Sequence, residues 1–180
     1  MEFLHDEMGI AHRDLKHENI LMGRKKADPY NEDERQEMIK VCDFTTAIIL
    51  PKDEPDFKVS IDAGTPAFNA PEVAATSEKL PKPLDVWSFG ITMYVYFTDN
   101  LPYPLEGSME QNIANCDYKK VISEMDCSDL LKDLLGSILD FDPVKRPSFK
   151  QILAHTWFEG RVEEVLDSVD EIFYDEEEKK

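Results

Sequence analysis

Apolar residues recur at helical intervals through the second half of the chain. Leu130, Leu131, Leu134, Leu135, Ile138 and Leu139 predict a helix over residues 128–139, with Ser128 and Asp129 at its start. Residues 85–98 carry Val86, Trp87, Phe89, Ile91, Met93, Tyr94, Val95, Tyr96 and Phe97, apolar on every side, which predicts a helix enclosed by the rest of the domain. Residues 107–115 read as an amphipathic helix. Pro147 in a first turn, followed by residues 148–155, predicts one more, ending near Trp157 and Phe158. Near the start, Phe3, Leu4 and Met8 give an apolar face to the end of a helix that Gly9 stops. Residues 20–22 and 38–42, β-branched or apolar, read as the two short strands of a hairpin. Between them, residues 23–37 carry Asp28-Pro29 and a run of charges, and are expected as a solvent-facing insertion with room for a docking partner.

Composition narrows the class. The chain has 180 residues, 42% of them hydrophobic, enough for one compact core. No apolar run approaches the roughly 20 residues that span a bilayer, so a soluble domain is expected. The formal net charge of −18 disfavours nucleic acid and anionic membranes as partners and favours cationic ones. Much of the excess sits in an acidic tail over residues 159–180, read as a solvated surface, with a basic-substrate site as the alternative. Cys42, Cys116 and Cys127 are scattered and show no metal-binding spacing. Met1-Glu2-Phe3-Leu4-His5-Asp6 lacks the basic and apolar pattern of a secretory signal, and a reducing, cytoplasmic location is expected.

The densest chemistry lies in His12-Arg13-Asp14-Leu15-Lys16-His17-Glu18-Asn19-Ile20-Leu21. Asp14 can accept a hydroxyl proton, Lys16 can neutralise charge on a transferring phosphate, and Asn19 offers an amide oxygen to a hard cation such as Mg²⁺. This string resembles the catalytic loop of eukaryotic protein kinases. Further pieces of that pattern follow in order: Asp43-Phe44-Thr45, the run from Gly64 to Glu72, Asp85-Val86-Trp87-Ser88-Phe89-Gly90, and Arg146-Pro147.

The resemblance covers residues 1–158 and implies a mainly α, protein-kinase-like fold: the C-terminal helical lobe with a short β-hairpin. The N-terminal lobe, with its Gly-rich loop, strand lysine and helix glutamate, is expected to be missing. It also implies ATP and Mg²⁺ as cofactors. Asp14 and Lys16 would be catalytic; Lys16, Glu18, Asn19 and Asp43 would line the nucleotide, with Asn19 and Asp43 holding the metal. Arg13 would meet a phosphate on the activation segment, for which Ser60 is the candidate, while Thr65 would contact Asp14 and Lys16 and shape the substrate platform. Glu72 and Arg146 would form a buried ion pair, Asp85 would hold the catalytic loop, and His12 would order it by packing.

Lys16 points to serine/threonine rather than tyrosine specificity. Subgroup motifs look like those of the calcium/calmodulin-dependent protein kinase kinases, whose substrates are other kinases, although no basic amphipathic helix for calmodulin is found. His17 stands where the family has proline, and Thr45 where it has glycine. The latter is expected to narrow the backbone freedom next to Asp43. The implied function is an ATP-dependent serine/threonine kinase in intracellular signalling; the alternative is a non-catalytic, pseudokinase-like scaffold.

Overall fold

The structure is a computed structural model that describes residues 1–24, 37–54, 57–59 and 63–159. Most of the expected insertion, all but the first residue of the acidic tail, and Ser60 lie outside the described residues. In chain order the elements are β1 (Ile10–Ala11), β2 (Ile20–Arg24), β3 (Glu37–Val41), β4 (Ile48–Ile49), α1 (Glu72–Ala75), α2 (Pro81–Thr98), α3 (Met109–Asn115), α4 (Tyr118–Ser123), α5 (Asp129–Ile138) and α6 (Phe149–Leu153).

Helix α2 runs through the core. Trp87 and Ile91 on it are fully buried, as are Leu134, Leu135 and Ile138 on α5. The two helices meet at Gly90, where a Cβ would run into Ile138 and Leu139. Helix α2 begins earlier than the apolar run suggests, because Pro81 and Pro83 suit a first turn whose amides have no intrahelical partner. It ends at Asp99, whose φ of 56° turns the chain away while its N–H donates to Val95 O at 2.8 Å. Helix α5 follows its predicted stripe except at Leu130, which is 48% exposed and faces away from the core. Ser128 caps it, and Ser148 with Gln151 forms a reciprocal capping box on α6.

Helix α4 is absent from the sequence reading, being only 6 residues long. Its Tyr118 closes the core edge-on to Trp87 with ring centroids 5.0 Å apart. At the start, the expected helix end is instead a wide π-type turn, Phe3–Glu7, closed by Met8 N–H donating to Phe3 O at 3.0 Å. Gly9 follows at φ 61°, turning the chain into β1, which pairs antiparallel with β4. The hairpin is the other sheet: Ile20 lies opposite Val41 and Met22 opposite Ile39. Its strands reach Arg24 and Glu37, somewhat beyond the predicted ones.

Candidate active site

The loop from His12 to Asn19 is suspended from α2 by one carboxylate. Asp85 is fully buried, and its two oxygens accept His12 N–H at 2.7 Å and Arg13 N–H at 2.6 Å. His5 Nε2 meets the same carboxylate at 2.7 Å. The loop needs this support because Arg13 sits at φ 66°, in the left-handed region that side chains disfavour. His12, also fully buried, meets Cys42 O through Nε2 at 2.9 Å, and Asp14 N–H approaches its Nδ1 at 3.3 Å. Its ring contacts Phe44 edge-on, centroids 4.9 Å apart. With both nitrogens occupied, His12 ties the loop to the Asp43 segment rather than facing a substrate.

Asp14, Lys16 and Thr65 converge. Asp14 Oδ1 accepts Thr65 N–H at 2.7 Å and Thr65 Oγ1–H at 2.8 Å. Lys16 Nζ donates to Thr65 Oγ1 at 2.5 Å and lies 3.3 Å from Asp14 Oδ2. Gly64 brings Thr65 there: at φ 93° it lies so close to Arg13 O that a Cβ would collide with that backbone. Burial would push the Asp14 carboxyl up, but the Thr65 hydroxyl and the Lys16 ammonium outweigh it and hold the group below its ordinary value. Asp14 is therefore an anionic hydrogen-bond acceptor at neutral pH.

Asn19 is buried directly behind Asp14. Its Nδ2 donates to Asp14 O at 2.8 Å, which fixes the amide, while no described group donates to its Oδ1. Cys42 N–H donates to Asn19 O at 2.9 Å, so Asp43, the next residue, is anchored beside this loop. Asp43 is exposed at φ 62°, and its Oδ1 accepts Thr45 Oγ1–H at 2.7 Å. That hydroxyl is the main reason its carboxyl is held below the usual value, with the Thr45 N–H adding to it. An amide oxygen and a carboxylate form a hard-oxygen pair that fits Mg²⁺, a cation that keeps waters and takes its other ligands from phosphate. Among the described residues no group of three or more His, Cys, Asp or Glu forms an all-protein metal site.

The remaining candidates are spread out. Glu18 faces His17 at 3.3 Å, on the solvent side of the loop. Arg13 Nε donates to Thr46 O at 2.7 Å. Glu72 and Arg146 form a two-pronged pair, 2.6 and 2.8 Å. Two ties of the loop were not read from sequence: His5 to Asp85, and Thr46 Oγ1–H donating to His12 O at 2.9 Å. Both join residues far apart in the chain, and no local pattern announces them. The Thr45 to Asp43 bond had a local signal, since a hydroxyl two residues from an Asp is a common turn pairing.

Two cavities bear on the site differently. One of about 280 Å³ is lined by Gly64, Pro66, Ala70, Val73, Met109 and Ile113, one residue from Thr65. The larger, about 700 Å³, lies between the Phe3–Glu7 turn, the start of α2 and α6, and is bordered by none of Asp14, Lys16, Asn19 and Asp43. Its walls are the supports of the fold rather than its chemistry.

This geometry sits within a recognised class. The protein kinase domain family matches residues 1–158, and the chain belongs to that family. Among particular proteins, it is similar to the hormonally up-regulated neu tumor-associated kinase of Homo sapiens, 35% identical over 164 residues, covering 87% of this chain and 20% of that protein. The Mus musculus counterpart is 36% identical over 162 residues, with 87% and 20% covered. Serine/threonine-protein kinase STK11 of Gallus gallus is 34% identical over 163 residues, with 88% and 33% covered. The chain thus spans between a fifth and a third of the length of these curated relatives.

Proposed function

We propose that this chain is the C-terminal, substrate-binding lobe of an ATP-dependent serine/threonine protein kinase. The observation that carries the reading is the convergence of Asp14, Lys16 and Thr65, with Asn19 bonded to Asp14 O and Asp43 following Cys42, which Asn19 O holds. In it, Asp14 accepts the hydrogen bond of an incoming serine or threonine hydroxyl and orients its oxygen, while Lys16 offsets charge on the phosphoryl group. Asn19 Oδ1 and Asp43 hold Mg²⁺. MgATP, when bound, supplies the transferable phosphoryl group and the cation that balances its charge. Met22 and Ile39, opposite each other in the hairpin and 74% and 71% exposed, form an apolar ledge suited to a nucleobase or to a nucleotide-binding lobe. The 280 Å³ hollow beside Thr65 suits an aliphatic side chain of the protein substrate.

The subgroup likeness of the sequence favours other kinases as substrates, the start of the chain a cytoplasmic setting, and the kinase resemblance a phosphate on Ser60 meeting Arg13 as the regulatory step. The scaffold reading leaves the polar convergence without a purpose. The test joins the nucleotide-binding lobe of a related kinase ahead of Met1 and measures transfer of radiolabelled phosphate to serine and threonine peptides. Asp14→Asn and Asp43→Asn should each lower the rate at least about 100-fold, the scale on which positioned acid–base groups act. Transfer no faster than in the Asp14→Asn control would overturn the proposal in favour of the scaffold.

A further inference from the structure

The segment after Asp43 is tied to the catalytic loop at both ends. His12 Nε2 meets Cys42 O at 2.9 Å, Thr46 Oγ1–H reaches His12 O at 2.9 Å, and Arg13 Nε–H reaches Thr46 O at 2.7 Å. Ala47 N–H donates to Phe44 O at 3.1 Å, closing a tight turn. Within this frame the left-handed residue is Asp43 itself. Thr45 is not among the described residues with positive φ, so its backbone has no need of the freedom that glycine gives.

The threonine therefore fits without strain and adds a group that glycine lacks. Its hydroxyl donates to Asp43 Oδ1 at 2.7 Å, and its N–H approaches the same oxygen at 3.4 Å. No described group donates to Asp43 Oδ2. A carboxylate held by one oxygen cannot turn freely about its Cβ–Cγ bond, and the other oxygen is left at a fixed place. Outer-shell hydrogen bonds of this kind orient metal ligands.

We propose that Thr45 is a positioning residue for a divalent cation: its hydroxyl pins Asp43 through Oδ1 and leaves Oδ2 aimed at the metal, so the site is preformed rather than assembled on binding. The inference rests on Asp43 being the cation ligand of the proposed kinase. It gives Thr45 a role beyond the expected narrowing of backbone freedom next to Asp43.

The test uses Mn²⁺ as the probe, the whole chain, and NMR in place of activity. Paramagnetic broadening of the Asn19 side-chain amide gives the Mn²⁺ dissociation constant, and relaxation dispersion on the Phe44 ring reports exchange of the segment. Thr45→Val, which keeps the shape and removes the hydroxyl, should weaken Mn²⁺ binding about tenfold, the low end of losses on removing an outer-shell partner, and introduce exchange at Phe44. Thr45→Ser should restore both to wild-type behaviour, and Thr45→Ala should match Thr45→Val. Because Thr45 is exposed, thermal midpoints should hardly change across the series. If Asp43→Asn abolishes Mn²⁺ binding while Thr45→Val binds like wild type, the positioning role is overturned and the ligand reading stands. Undiminished broadening in Asp43→Asn overturns both.

Discussion

At the scale of single residues, the site is a set of groups fixed by one another. Thr65 is the clearest case, since its N–H and hydroxyl both donate to Asp14 Oδ1 and its oxygen also accepts a hydrogen bond from Lys16 Nζ. These bonds favour the ionised carboxyl, so its folded-state value is depressed below that of the unfolded chain. The stabilisation is then fully present above the unfolded value of about 3.9 and is lost as pH falls through the lower folded value. Carboxyl-detected NMR should find Asp14 titrating below the ordinary aspartate range, and Thr65→Val should move its midpoint upward. An unshifted Asp14 in the wild type would remove the proposed clamp. Most of this constellation was legible in the sequence, because Asp14, Lys16 and Asn19 are close in the chain and an ordered motif set carries Asp43 and Thr65 with them. What was not legible is how the polar groups pair. The sequence reading marks Thr45 only as a missing glycine, although a hydroxyl two residues from an Asp is a local signal of the bond it makes to Asp43.

At the scale of elements, long periodic segments were readable and short ones were not. The α5 stripe predicts its own burial, since Leu131, Leu134, Leu135 and Ile138 can reach a core only from one face. The few residues of α4 carry too little periodicity to distinguish them from a loop, and β1 pairs with β4 across a separation that no local pattern records. Gly90 illustrates the same limit. The sequence shows only a glycine inside an apolar helix, whereas in the structure it is where α2 meets Ile138 and Leu139 of the next layer. Gly90→Ala should therefore destabilise the domain by about 1–3 kcal/mol through overpacking. On α5, Gly136→Ala meets nothing within 4 Å and should stabilise it by about 0.5–1 kcal/mol, the helix-propensity gain of alanine. Urea denaturation followed by circular dichroism measures both, and shifts of the same sign would remove the close approach as the reason for the glycine.

For the molecule as a whole, one side chain joins the parts that the chain keeps far apart. Arg146 grips Glu72 at the start of α1 with two bonds of 2.6 and 2.8 Å, and donates to Pro83 O at the beginning of α2 and to Asp140 O after α5. Its guanidinium also lies over the Trp87 ring, 4.8 Å from the centroid. Since Glu72 closes the segment that begins at Gly64, the same residue connects that segment to the helical core. Removing it strands a buried carboxylate. Arg146→Ala should cost about 3–5 kcal/mol, as breaking a buried pair does, while the exposed Lys150→Ala should stay within about 0.5 kcal/mol. Removing Glu72 together with Arg146 should cost less than the sum of the single changes, because the second loss no longer leaves a charge alone. Additive losses in that cycle, measured by the same denaturation, would mean that the pair is not what holds α1 to the core; a clear shortfall would show that the two residues stabilise the domain through each other.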